Sequence, residues 1–90
     1  MEALRHLADY QYTSERFTRS LDFLHRALRI DNLVEELHCQ VMRVYAAVGN
    51  RAGLILQYQE VNEVLASELE IDPLPTTKKL YERLLAGMEG

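Results

Sequence analysis

Three histidines, one cysteine and a cluster of arginines are the side chains through which this 90-residue chain could do chemistry. His38 and Cys39 are adjacent, and a histidine beside a thiol is the raw material of a nucleophile or a metal site. Adjacent residues on a helix point about 100° apart, so the two cannot serve one site unaided. His6 and His25 stand without a ligand-spaced partner. His6 and Asp9 share one helix side, three residues apart, but no nucleophile or oxyanion-stabilising group accompanies them. No glycine-rich phosphate loop is present. The expectation is a non-enzymatic chain with no cofactor, no metal and no small-molecule ligand. His38 is expected to pack at a helix seam with a local hydrogen bond, and Cys39 to be a small packing residue.

Arg16, Arg19 and Arg26 cluster on one side of a helical segment and could meet nucleic acid or an acidic partner. Asp22, three residues after Arg19 and four before Arg26, can pair with either. The whole chain carries a net charge of -4. Affinity for a phosphate backbone comes from neutralising phosphates with Lys and Arg, so direct nucleic-acid binding is not expected and a solvated helix face is. A lone cysteine forms no internal disulfide, which points to a reducing compartment. No apolar run approaches the roughly 20 residues needed to cross a bilayer, and no signal peptide is visible. The cytoplasm is the expected location, with no membrane partner.

These side chains have to be positioned by helices. Four Gly, two Pro and abundant Leu, Ala, Glu and Arg suit helical elements, and ninety residues make one domain. Periodicity predicts helices at about 2–12, 15–30, 34–48, 51–69 and 76–86. Thr13-Ser14-Glu15 is expected to separate the first two, with Ser14 as an N-cap. Phe17, Leu21, Leu24 and Leu28 then form one face. Asn32 and Glu35 have the spacing of a capping box for the third helix. Its apolar arc is Val34, Leu37, Val41, Val44, Tyr45 and Val48, extended by His38 and Met42. Gly49 supplies a left-handed stop and Asn50 the next cap. Leu54, Tyr58, Val61, Leu65 and Leu69 stripe the fourth helix, whose second half carries Glu60, Glu63, Glu68 and Glu70. Carboxylates there oppose the helix dipole, so that end should be solvated or paired. Asp72-Pro73-Leu74-Pro75 is a rigid break before a closing helix bearing Leu80, Tyr81, Leu84, Leu85 and Met88 on one side.

An internal echo organises these elements. Leu28-Arg29-Ile30-Asp31-Asn32-Leu33 returns as Leu69-Glu70-Ile71-Asp72-Pro73-Leu74, each copy closing an apolar-periodic segment. Leu7, Ala8, Phe17, Ser20, Leu24 and Ala27 stand 34 residues before Val41, Met42, Arg51, Leu54, Tyr58 and Val61, and 34 is the tetratricopeptide period. The second copy lacks the small residues of the first and is longer before its closing phrase. The expected fold is therefore all-α: a degenerate tetratricopeptide-like helical hairpin array, two hairpins plus a C-terminal closing helix.

A sharper resemblance is carried by several separated runs in order. They include Ala27-Leu28-Arg29-Ile30-Asp31, Glu36-Leu37-His38, Met42-Arg43, Tyr45-Ala46-Ala47 and Gly49-Asn50-Arg51-Ala52. Gln57-Tyr58, Leu65-Ala66-Ser67-Glu68-Leu69, Asp72-Pro73 and Leu80-Tyr81 continue the series. Together they resemble the bacterial transcriptional activator domain of the Streptomyces antibiotic regulatory protein family, over about residues 4–86. The resemblance implies a C-terminal portion of a longer regulator in which a winged-helix domain reads DNA. It implies a non-catalytic module for protein contacts and dimerisation in transcription activation, with the transcription machinery as a possible partner. Two positions depart from the family pattern: Asn32 stands where Pro is usual, and Glu70 where Gly is usual. Glu in a left-handed position costs roughly 1 kcal/mol more than Gly, so the fourth helix is open to a different ending here. Leu74 also stands where the family often has a capping Ser before the Pro that opens the last helix.

In tetratricopeptide arrays the first helix of each hairpin lines a concave groove. By that analogy Arg5, Asp9 and Tyr12 face it, joined by Glu36, Cys39, Gln40 and Arg43. Such a groove would take a peptide or a helix, and a generic adaptor of that kind is the alternative to the activator reading. A homodimer is also expected, because the first helix would lack its usual N-terminal neighbour.

Overall fold

The computed structural model describes the backbone of residues 2–89 and the side chains of residues 16–88. Four helices follow one another: α1 (Glu2–Ile30), α2 (Glu35–Ala47), α3 (Arg51–Leu69) and α4 (Pro75–Glu89). No strand occurs among the described residues. The all-α hairpin array expected from periodicity is the observed fold.

The helix count differs from the expectation. The helices placed at 2–12 and 15–30 are one continuous helix, so Thr13-Ser14-Glu15 neither breaks it nor caps a new one. None of these residues is Gly or Pro. Thr and Ser cost a helix interior only a few tenths of a kcal/mol relative to Ala. Ending and renucleating a helix costs more, because the first turn fixes several dihedrals for one hydrogen bond.

The capping box expected at Asn32 is also absent. Val34 takes the N-cap position of α2 in extended conformation, with no side-chain cap. Asp31 Oδ1 instead accepts from Leu33 N–H at 3.0 Å and tightens the turn. Glu35 does not reach back. It accepts from Leu74 N–H at 2.7 Å and from the Thr77 hydroxyl. A carboxylate at the start of α2 thus caps α4, where Leu74 has no capping side chain of its own.

The remaining boundaries follow their local signals. Gly49 has φ 77°, and Asn50 Oδ1 accepts from Gly53 N–H at 2.9 Å. A Cβ on Gly53 would sit 2.8 Å from the Tyr45 ring, so glycine there admits the α2–α3 crossing. Glu70 adopts φ 55° and ψ 38°. Its N–H bonds Ala66 O at 3.1 Å and that of Ile71 bonds Leu65 O at 3.3 Å, so α3 ends in a left-handed cap despite the missing glycine. Pro75 opens α4 at the first helical position, where its missing N–H is not needed.

The core centres on α2, which packs against the other three helices, whereas among the described residues α1 packs against α2 alone. Leu24, Leu28 and Val41 bury one seam, flanked by Leu21, Leu37 and Val44. Cys39, Met42, Leu54 and Leu80 bury the other. Tyr58 and Tyr81 stack across α3 and α4 with ring centroids 4.0 Å apart. Val34, Val48 and Leu69, assigned to apolar arcs by periodicity, lie at helix ends and are exposed. Gln57 and Thr77 are buried polar residues that periodicity does not mark.

Candidate protein-binding trough

Two polar constellations hold α2 against its neighbours. His38 is fully buried. Its Nε2 lies 2.8 Å from the Asn32 carbonyl, which can only accept, so Nε2 carries the proton and Nδ1 is a bare acceptor. The Gln57 amide therefore donates to Nδ1 at 2.7 Å and gives its second N–H to Glu60 at 2.8 Å. The second constellation is at the α2–α4 seam. Thr77 gives its single hydroxyl proton to Glu35, so the Cys39 thiol is the donor across the 3.4 Å contact to Thr77 Oγ1. Burial pushes the Cys39 thiol above its ordinary value near 9.0, and the carboxylates of Glu36 and Glu35 push the same way. A thiol held neutral is a poor nucleophile. His25 meets the Tyr45 hydroxyl at 3.3 Å, which ties α1 to α2. No group of three or more potential metal ligands occurs among the described residues.

With its other faces covered, α2 exposes one stripe: Glu36, Gln40, Arg43 and Ala47. α1 rises on one side of it and α4 on the other, forming a trough. The α1 side is a cleft of about 480 Å3, where Arg19, Ser20 and Phe23 face Gln40, Arg43 and Val44. The α4 side is a cleft of about 360 Å3, where Arg83, Leu84 and Met88 face Arg43, Ala46 and Ala47. Arg43 belongs to both and stands on the ridge between them. Among the described residues, no carboxylate lines either cleft. Nearer the start of α2, Glu36 pairs with Arg43 at 3.4 Å, with both side chains more than half exposed. An ion pair so exposed is worth less than about 1 kcal/mol, so Arg43 is readily given up to a ligand.

A helical hairpin array carrying this trough is matched by a family model for the bacterial transcriptional activator domain over residues 1–85. The chain belongs to that family. No curated protein and no solved structure matches it.

Within this activator domain, four of the seven residues assigned to a groove by analogy have described side chains, and all four belong to α2. Gln40 and Arg43 line the α1 cleft, and Glu36 and Arg43 border the space under the start of α4. Cys39 lies beneath them, buried. Arg5, Asp9 and Tyr12 fall outside the residues whose side chains are described. The walls, Arg19 and Phe23 on α1 and Arg83 on α4, were not anticipated as a set. On α1 the described residues that face α2 across the cleft are Arg19, Ser20, Phe23 and Leu24. Asp22 pairs with neither Arg19 nor Arg26 among the described residues. No helix among the described residues is long and apolar enough to cross a membrane.

Proposed function

We propose that this domain is a non-catalytic, cytoplasmic protein-interaction and dimerisation module of a bacterial transcriptional activator, in which a separate domain reads DNA. The observation that carries it is the family match over residues 1–85. The trough supports it: arginines on an apolar floor favour a protein segment over a small ligand, and its open form suits a helix. The acidic balance of the chain, -4 overall, argues against phosphate-backbone binding.

The division of labour is tested in two steps. The 90-residue chain alone should not retard promoter DNA at about 150 mM salt. Retardation at that salt overturns the proposal. In a regulator that carries this domain, Arg43→Glu with Arg83→Glu should lower transcription from the target promoter while leaving promoter affinity unchanged. Unchanged transcription means that the trough is not the working surface.

A further inference from the structure

We propose that the trough binds an acidic amphipathic helix of another protein. The inference rests on the reading of the trough as an interaction surface and names the chemistry of its partner. Arg19, Arg43 and Arg83 come from three helices to line it, and all three are exposed. Arg19 and Arg83 make no ion pair among the described residues, and the pair that Arg43 makes with Glu36 is exposed. The charge of the whole chain is -4. The trough therefore attracts an anionic partner against the sign of the molecule, and screening confines the attraction to that face.

Apolar contact comes from Phe23, 70% exposed, and from the partly buried Val44, Leu84 and Met88. Phe23 lies in the α1 cleft beside Arg19, whereas Leu84 and Met88 lie in the α4 cleft beside Arg83. Each cleft thus pairs an apolar wall with an arginine, and Arg43 stands between them. Aromatic residues and arginines are the types that dominate the energetics of protein interfaces. The matching surface has apolar side chains for the clefts and carboxylates on their flanks.

The partner's main chain decides between a helix and an extended segment. A peptide bound in extended form satisfies its main chain by adding to a sheet edge. No strand occurs among the described residues, and the neutral hydrogen-bonding side chains lining the two clefts are Ser20 and Gln40. An extended segment would leave main-chain groups unpaired over the apolar walls, which costs free energy. A helix pairs its main chain internally and presents side chains alone. Apolar residues at i, i+3, i+4 and i+7 give it one face, and carboxylates on both margins reach the arginines. The clefts, of about 480 and 360 Å3, have room for the aliphatic or aromatic side chains of that face.

Fluorescence anisotropy of a labelled designed peptide, titrated with the 90-residue chain, tests the inference. The probe has about 18 residues, or five helical turns, with Leu on one face, Glu on both margins of that face and Ala elsewhere. At about 50 mM salt it should bind with a Kd of about 10–100 μM. At about 500 mM salt it should bind at least about tenfold more weakly. A peptide of the same composition in scrambled order has no apolar face and should also bind at least about tenfold more weakly. Phe23→Ala, and separately Arg43→Glu with Arg83→Glu, should each weaken binding of the probe at least about tenfold. The altered side chains are exposed, and circular dichroism verifies that both variants remain helical. No binding at about 1 mM chain, equal binding of the scrambled peptide, or binding that neither variant weakens overturns the inference. A mass above that of the 10.4 kDa chain that falls on arginine reversal, with no peptide bound, gives the trough to a second copy and also overturns it. If the peptide does not bind but the same reversal lowers transcription in a regulator that carries this domain, the inference falls and the trough remains a working surface for a partner of other chemistry. If the peptide binds as expected and transcription is unchanged, the site stands and its role in activation falls.

Discussion

Replacing Glu35 should loosen a helix that begins 40 residues away in the chain. Its carboxylate accepts from Leu74 N–H at 2.7 Å and from the Thr77 hydroxyl, and these contacts supply the capping that Leu74 cannot. A hydrogen bond to a charged acceptor contributes about 1.5–3 kcal/mol. The bond to Leu74 counts for less, because water can replace the carboxylate at an exposed N–H. Thr77 is only 2% exposed, so its hydroxyl would lose a partner that water cannot easily replace. Glu35→Ala should therefore cost about 2 kcal/mol, including the favourable position of an acid in the first turn of α2. For a domain of this size that lowers Tm by about 8–16 °C. Glu35→Gln, which keeps an acceptor but not the charge, should cost about half as much. Urea denaturation followed by circular dichroism measures both. A double-mutant cycle with Thr77→Val should return a coupling of about 1 kcal/mol. A loss below about 0.5 kcal/mol for Glu35→Ala, or no coupling to Thr77, would refute the assignment of Glu35 as the cap of α4.

Three further outcomes follow from the same geometry. Gly53→Ala should destabilise by about 1–3 kcal/mol, against the gain of roughly 1 kcal/mol that helix propensity alone would bring, because the new Cβ meets the Tyr45 ring; the sign of the change in urea midpoint decides between them. Glu70→Gly should stabilise by about 1 kcal/mol, since φ 55° strains any residue with a Cβ; an unchanged or lower midpoint would remove left-handed strain as its cause. Cys39 has its folded value raised by burial, so its contribution to stability is complete below the unfolded value and is lost as pH climbs through the folded one. Unfolding free energy should therefore drop more steeply above about pH 9 in the wild type than in Cys39→Ala, and parallel pH profiles would contradict the burial.

Periodicity located the elements well where one residue type dominates a local decision. Leu54, Val61 and Leu65 lie on one face and are all buried, and Gly49 with Asn50 makes the expected stop and start. It failed at Thr13-Ser14-Glu15, where residues of middling propensity leave the outcome to helix cooperativity. It also failed at Asn32 and Glu35, whose spacing fits a local capping box although the carboxylate finds a better use on α4. Gln57 and Thr77 were invisible for a related reason. A buried polar side chain is tolerated only when partners meet it, and those partners, His38 for Gln57 and Glu35 with Cys39 for Thr77, belong to other helices.

By itself the sequence determined that this chain is helical, which faces of α3 and α4 are apolar, and which family it resembles, because each is a matter of residue type at short, regular spacing. Tertiary structure decided that α2 is the hub, that α1 runs unbroken past it, and that Arg19, Arg43 and Arg83 share one trough. Those three arginines come from three helices, and their proximity depends on how those helices cross. No helical period encodes a crossing, because it is set by the volumes of buried side chains and by single contacts such as Glu35 on Thr77 and Tyr45 on Gly53.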